Sequence, residues 1–337
     1  MKRTSLLFIL LVTFINISFA QSDDKSIKKK MVDSIKMAYL TEASIRQPLL
    51  RQGNISFDVV GNANVESKFN GNTIYSGKVN LTRLRSNFNI PIVQWGKNSI
   101  VGTVTFVQQH FNAEQDDNPS QPRVPDLSLN KVTVAGTVSY SRVDSLFGRQ
   151  VIYSGSISGI TDDATTIRRV TYIGTILFPI KRTANTSVMV GLAGFIDRYS
   201  TIPVIPIITY WHRFESKLEL TLDPSAFSLR KPLSKNSWVT LGTGIEQNFT
   251  FYGAGEFSFP TDAIQSTLDL KSGLSFEHLF GKKLMIGIRG GAMTNLNSRF
   301  YRPGESGNDY FIKNKNGTAP FVNVSVSLLP FLKSIIR

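Results

Sequence analysis

The sequence predicts an all-β protein, a transmembrane antiparallel β-barrel of fourteen strands (twelve as the fallback count) behind a short N-terminal periplasmic segment. Three observations predict it. Apolar and polar residues alternate in segment after segment from Gly53 onward, the long polar connections fall on every other link, and an export signal stands at the N-terminus.

Lys2 and Arg3 precede an apolar run from Leu6 to Ile17, and Ser18-Phe19-Ala20 follows as a small-x-small cleavage pattern, so residues 1–20 read as a signal peptide. Residues 21–52 form a basic periplasmic leader with Lys25, Lys28, Lys29 and Lys30. Ile27, Met31, Ile35 and Ala38 recur there at spacings of three and four, which permits a short amphipathic helix. Residues 53–337 then form the barrel.

Strands are predicted over 54–67, 73–90, 98–111, 128–142, 150–160, 168–180, 186–197, 204–214, 216–222, 226–233, 237–250, 266–280, 283–295 and 319–329. Between Ser266 and Phe280, Leu268, Leu270, Leu274, Phe276 and Phe280 share one face, opposite Thr267, Asp269, Lys271, Ser275 and Glu277. Val322, Val324, Val326 and Leu328 likewise oppose Asn323, Ser325 and Ser327. In the fourth segment, Val132, Val134, Val138 and Tyr140 oppose Lys131, Thr133, Thr137 and Ser139. Alternation over about ten residues per segment suits strands with lipid outside and a polar lumen inside. A soluble β-sandwich also alternates, but it seldom needs so many strands of that length. The ninth and tenth segments are short and flank Pro224, and dropping that hairpin gives the fallback of twelve.

The links supply an independent argument. Gly96-Lys97-Asn98, Leu146-Phe147-Gly148-Arg149, Arg182-Thr183-Ala184-Asn185, Ser234-Lys235-Asn236 and Gly281-Lys282-Lys283 are short and even-numbered. The long stretches 112–127, 250–265 and 296–318 are odd-numbered, which places both termini on the periplasmic side. Tyr75, Trp95, Phe111, Phe147, Phe178, Trp211, Trp238, Phe249 and Phe280 lie near strand ends, where interfacial girdles are expected.

Composition narrows the chemistry. The chain of 337 residues has no Cys, which removes disulfides, thiolate metal sites and an N-terminal lipid anchor on Cys. Three His argue against a His-rich metal centre, and no cofactor or metal is expected. The net charge of +14 in an exported chain suits outer-membrane lipid and lipopolysaccharide rather than nucleic acid, and a barrel needs the barrel-insertion machinery as a further partner.

The stretch Val79 to Trp95, with its Asn89-Ile90-Pro91-Ile92 step, and the block Pro203 to Gly244, with Tyr210-Trp211, Lys217-Leu218 and a following Pro hairpin, carry a likeness that extends over most of residues 53–330. In these residues the chain resembles an uncharacterised family of Gram-negative outer-membrane β-barrel proteins, a domain of unknown function. The resemblance implies location in the outer membrane and no assigned catalysis. The chain departs from the common outer-membrane pattern at its end, because Phe331 is followed by Leu332 to Arg337 instead of closing the chain.

A lipid-modifying enzyme would need a Ser activated by a His at the wall. His110, His212 and His278 are the candidates, and none stands near a Ser in a recognisable motif. Asp116-Asp117 and Asp162-Asp163 read as solvated loop acids, while Gly253-Ala254-Gly255 and Gly290-Gly291 lack the strand-to-helix context of phosphate loops. The residues expected to line the lumen are Asp58, Glu66, Lys78, Lys131, Arg169, Lys217, Glu219, Glu246, Asp269, Lys271, Glu277 and Arg289, six acids and six bases. Balanced signs suit either an ion-paired filler or a weakly selective passage. The expectation is therefore a structural or passive pore-like role without catalysis. The alternatives are a lipid-modifying enzyme or hydrophobic-ligand transporter, and a surface adhesin working through its long loops.

Overall fold

The computed structural model describes residues 34, 37–116, 127–163, 165–200, 202–256, 262–332 and 334–335. The signal peptide, residues 21–33, 35 and 36 of the basic leader, and Asp117 lie outside these residues. Residues 37–46 are helical and Pro48–Leu50 form a 3-10 turn. The strands that follow are β1 (Gly53–Phe69), β2 (Asn72–Trp95), β3 (Asn98–Gln115), β4 (Leu127–Leu146), β5 (Arg149–Thr161), β6 (Arg169–Arg182), β7 (Thr186–Ile196), β8 (Val204–Arg213), β9 (Glu219–Asp223), β10 (Ala226–Pro232), β11 (Ser237–Tyr252), β12 (Ala263–Phe280), β13 (Leu284–Tyr301), β14 (Ile312–Asn316) and β15 (Thr318–Leu328).

Each strand from β1 to β13 pairs antiparallel with the next, and β15 closes the circle between β13 and β1. The closed wall therefore has fourteen staves. The fallback of twelve is set aside, because β9 and β10 pair with each other and with both neighbours despite their short length. The additional short segment β14 hydrogen-bonds to the outer ends of β1 and β13, in the same registers that β15 keeps with them lower down.

Alternation decides what each face meets. Ile55, Phe57 and Val59 of β1, Val138 of β4, Ile157 of β5, Leu192 of β7, Ile208 of β8, Leu274 of β12, and Val322 and Val324 of β15 are all exposed on the outer surface. An apolar belt of that extent is stable against hydrocarbon and costly against water. Trp95, Tyr140, Phe147 and Phe280 stand exposed near the end with the short even links, and the rings of Trp95 and Tyr140 are 6.3 Å apart. The other expected girdle residues are not all outside. Tyr75 and Phe111 line an internal cavity, Trp238 packs beside a buried cluster, and the Phe249 ring lies under Arg169.

Two tight turns show how the links work. Asn70-Gly71 and Phe147-Gly148 each have two successive positive φ angles, 47° and 86° in the first and 51° and 73° in the second. That is the left-handed pair that a two-residue hairpin requires to match strand twist. Phe147 takes this conformation while 95% exposed, at the rim.

Three neighbouring strands also change face partway up. β1 carries an extra residue between Val60 and Ala63, β13 carries one opposite the step from Leu268 to Asp269, and Gly317 separates β14 from β15. Each interruption turns the following side chains to the opposite face.

Candidate functional site

The lumen is divided rather than uniform. Across its middle, β1, β2, β11 and β12 project a network of charges. Lys271 Nζ lies 2.8 Å from Asp58 and 3.0 Å from Glu246. Arg85 reaches Glu246 at 3.2 Å, and Arg83 lies 3.5 Å from Asp269 and 3.7 Å from Glu246. Neutral side chains complete the set. Gln109 accepts from Arg83 and donates to Thr250, Asn248 accepts from Arg85, and Asn295 and Asn323 donate to Asp269 and Asp58. Arg289 donates to the carbonyl oxygens of Lys271 and Gly242. Arg83, Asp58 and Lys271 are only 2%, 2% and 3% exposed, so these charges are stable only because each is matched.

A second contact pinches the barrel across its width. The Thr133 hydroxyl of β4 donates to the Phe249 carbonyl of β11, and Lys131 of β4 pairs with Glu256 just beyond β11. Arg169 of β6, ion-paired with Asp197, stacks on the other side against the Phe249 ring. The outer part of the lumen is thereby split in two.

On the side bounded by β1 to β4 and β11 to β14 lies a cup of about 530 Å³. Val60, Val65, Val79, Leu81, Phe111, Leu129, Met293, Phe300 and Ile312 make most of its wall, and Arg83, Gln109, Asp269 and Asn295 make its floor. The face changes in β1, β13 and β14 are what bring Val65, Phe300 and Ile312 inward. On the other side, the inward positions of β4 to β8 are mostly small, hydroxylated or aliphatic, with Arg169, Phe195, Trp211 and Arg213 among them. Thr137 bonds Ser158 and Ser99 bonds Ser141 at 2.8 Å, and Ser154 pairs with Thr175. Most of these inward side chains remain half-buried instead of fully covered.

The end with the short links is capped from inside by the N-terminal segment. Arg51 donates to Glu277 at 2.6 Å, to Ser327 at 3.1 Å and to the Ser44 carbonyl at 3.2 Å. Arg230 donates to the Ile45 carbonyl and lies 3.4 Å from Glu277. Ile45 packs against Leu279, Met285 and Leu329, and Arg46 stacks over Trp211. The chain end returns to the same mouth, with Ile335 donating to the Pro91 carbonyl.

The expected lumen residues divide accordingly. Asp58, Glu246, Asp269, Lys271 and Arg289 meet in the central network, Lys131 and Arg169 flank the pinch, and Glu277 and Glu219 sit at the capped mouth, Glu219 2.8 Å from Arg213. Three expectations are corrected. Glu66 faces outward beside Lys68 and Thr73, because the extra residue in β1 reverses the face. Lys78 is exposed while its neighbours Gly77 and Val79 turn inward, because above the membrane belt the outside of the wall is wet and its inside apolar. Lys217 is not on a strand, since it closes the Phe214–Leu218 turn at φ 61°. Arg83, Arg85, Gln109, Arg51 and Arg230 are central residues that sequence reasoning missed. The polar Arg83 and Arg85, two apart in β2, are the signal that could have found them.

Two of the three His meet hydroxyls. Ser237 lies 2.8 Å from His278 Nδ1 and Thr186 lies 2.9 Å from His212 Nδ1, each pair formed across neighbouring strands. Among the described residues, no acid or amide orients the second ring nitrogen of either His, so the three-member relay is incomplete. Asp116 accepts from Ser76, and Asp162 and Asp163 hold Arg168 and the Thr165-Thr166 turn. Among the described residues, no group of three or more potential metal ligands occurs.

Closed pairing, an apolar outer surface and a polar, divided lumen define a membrane-spanning β-barrel of the outer-membrane type. Among solved structures, the chain is similar to an outer membrane channel from Pseudomonas putida F1, with 10% identity over 82% of this chain and 96% of that one, at a TM-score of 0.34. It is similar to the translocator domain of the autotransporter NalP from Neisseria meningitidis, with 12% identity over 91% and 98% at 0.29. It is also similar to the toluene transporter TodX from Pseudomonas putida, with 10% identity over 82% and 88% at 0.31. At these identities and scores the likenesses add nothing to the barrel that the strand pairing already defines. No protein-family model matches the chain, and no curated protein matches it.

Proposed function

We propose that the protein is a passive outer-membrane channel of a Gram-negative bacterium, exported by way of residues 1–20, that passes small solutes through the half of its lumen bounded by β4 to β8. The contrast between the two halves carries this reading. The β1, β2, β11 and β12 side is filled by buried, paired charges, whereas the β4 to β8 side is lined mainly by hydroxyls and small or apolar groups that keep partial exposure inside the wall, and its Arg169 and Arg213 are each held by an acid, Asp197 and Glu219. Neutral lining favours weak ion selectivity. The helix at 37–46 narrows the periplasmic mouth. Lys68, Lys78, Lys313 and Lys315, exposed at the outer end, suit the phosphates of lipopolysaccharide.

Planar-bilayer recording tests this. Small conductance steps with weak selectivity are expected from the folded protein, and larger steps after deletion of residues 37–47. A flat trace from both proteins would sink the proposal. The apolar cup favours a second reading, a hydrophobic-ligand transporter, in which the outer mouth first captures its cargo.

A further inference from the structure

We infer that the β4 to β8 half of the lumen opens sideways, through a hydrated notch in the wall above the β9–β10 hairpin, and exchanges small uncharged amphiphiles with the hydrocarbon of the leaflet on the long-loop side. The inference rests on the channel reading of that half and names the class of solute it passes.

The notch follows from strand length. β9 and β10 turn at Asp223, Pro224 and Ser225, level with Tyr210 of β8 and Gly244 of β11. Beyond that level β8 is paired only with β7, and β11 only with β12. Leu222, Phe227 and Ile245 are exposed around the turn, so it stands within the apolar belt, with Pro224 and Ser225 themselves exposed. The Asp223 carboxylate, at the same depth, accepts from the Ser225 N–H and hydroxyl.

Hydrocarbon tolerates neither a polar turn nor an open sheet edge unless protein covers it or it lines water. The two edges decide which. The Phe195 N–H of β7 donates to the Pro203 carbonyl, so by alternation the backbone groups of Val204, Pro206 and Ile208 face the notch. Pro206 brings no N–H, which blunts this edge against an added strand. On β11 the Ile245 N–H donates to the Ser225 carbonyl, and the Phe249 carbonyl on the same edge already accepts from Thr133 across the lumen. One edge is therefore turned inward and the other cannot carry a full ladder, so water fills the notch instead of a partner strand.

The way straight out is narrowed. The Arg169 guanidinium lies 3.6 Å from the centre of the Phe249 ring and 5.0 Å from that of Tyr199. A solute that leaves by the notch meets hydroxyls within and Val204, Ile208 and Phe227 at the lips, which suits an apolar body bearing one uncharged polar group. A fixed charge would lose its water between those lips at high cost.

The chain has no Cys, so single introduced thiols report on one position each. In phosphatidylcholine nanodiscs, Ser225→Cys should react with a charged, membrane-impermeant methanethiosulfonate, and Leu241→Cys, in the same belt but facing lipid, about a hundredfold more slowly. Photolysis with a diazirine-bearing octanol should label the inward residues Ser156, Ser158 and Thr171, located by peptide mass spectrometry, and a diazirine-bearing octanesulfonate should not. A bulky adduct on Ser225→Cys should remove most of that labelling. A Ser225→Cys thiol as inert as Leu241→Cys, unlabelled inward residues, equal labelling by the two probes, or labelling indifferent to the adduct would each overturn the inference. Should Ser225→Cys fail to fold, Pro224→Cys at the same turn takes its place. Normal conductance with an inert thiol and unlabelled inward residues removes the sideways route alone, and a flat trace with labelling retained removes ion conduction alone.

Discussion

Lys271 serves two carboxylates at once, Asp58 and Glu246, with almost no access to solvent. Removing one side of a buried match strands the other, at a cost of about 3–5 kcal/mol. Lys271→Met should therefore destabilise the barrel by that amount in urea unfolding from lipid vesicles, and adding Asp58→Asn should recover part of the loss. Equal stability of Lys271→Met and the unaltered protein would show that the network is not energetically closed. Gly273 presents a different constraint, since a Cβ there would overlap the Gly290 carbonyl of the adjacent strand. Gly273→Ala should cost about 1–3 kcal/mol through backbone displacement, seen as a lower temperature for the loss of the fast-migrating band on an unboiled gel. An unchanged transition would mean that β12 and β13 separate there at little cost.

Individual elements explain both the accuracy and the errors of the sequence reading. β12 reads cleanly because Leu274 and Phe276 meet hydrocarbon while Asp269, Lys271 and Glu277 face inward, so the period of two and the environment agree along its length. In β1 the period continues unbroken through Gly61-Asn62 while the face reverses, so Asp58 and Glu66 share a phase yet point to opposite sides. Gly61 inside an alternating strand was the available hint of a bulge. The connections carry their own electrostatics. Arg168 joins Asp162, 3.1 Å away, to Asp262, 2.6 Å away, so that the β5–β6 connection is tied to the entry of β12. The hydrogen bond from Arg168, and then the Ala254 N–H, holds the Asp262 carboxyl below its ordinary value of 3.8. The N–H groups of Thr166 and Thr165 lower Asp163 in the same way. A lowered folded pKa contributes order that is complete above the ordinary value and is lost as pH falls through the folded one. Limited proteolysis between residues 161 and 169 should thus be slow at neutral pH and rise only as pH falls below the ordinary carboxylate value of 3.8, with Arg168→Gln fast throughout. A rate independent of pH in the unaltered protein would rule this tie out.

At the scale of the whole molecule, the outer belt governs behaviour. Its many exposed Val, Ile, Leu and Phe residues predict that the folded chain stays monodisperse only in detergent or lipid and precipitates when detergent is removed. A folded monomer in plain buffer, by ultracentrifugation, would contradict the membrane-spanning barrel.

By itself the sequence determined the staves, their order and the sides on which long and short links fall, because hydrocarbon outside and water inside impose a local period of two on every strand. Only the tertiary structure decided what the lumen holds. Arg83 meets Asp269 and Lys271 meets Asp58 from distant parts of the chain, the β4 to β11 pinch joins opposite sides of the wall, and Arg51 reaches Glu277 from beyond the barrel. Such contacts depend on how the wall curves and where it bulges, and a one-residue bulge reverses a face without disturbing the pattern along the chain.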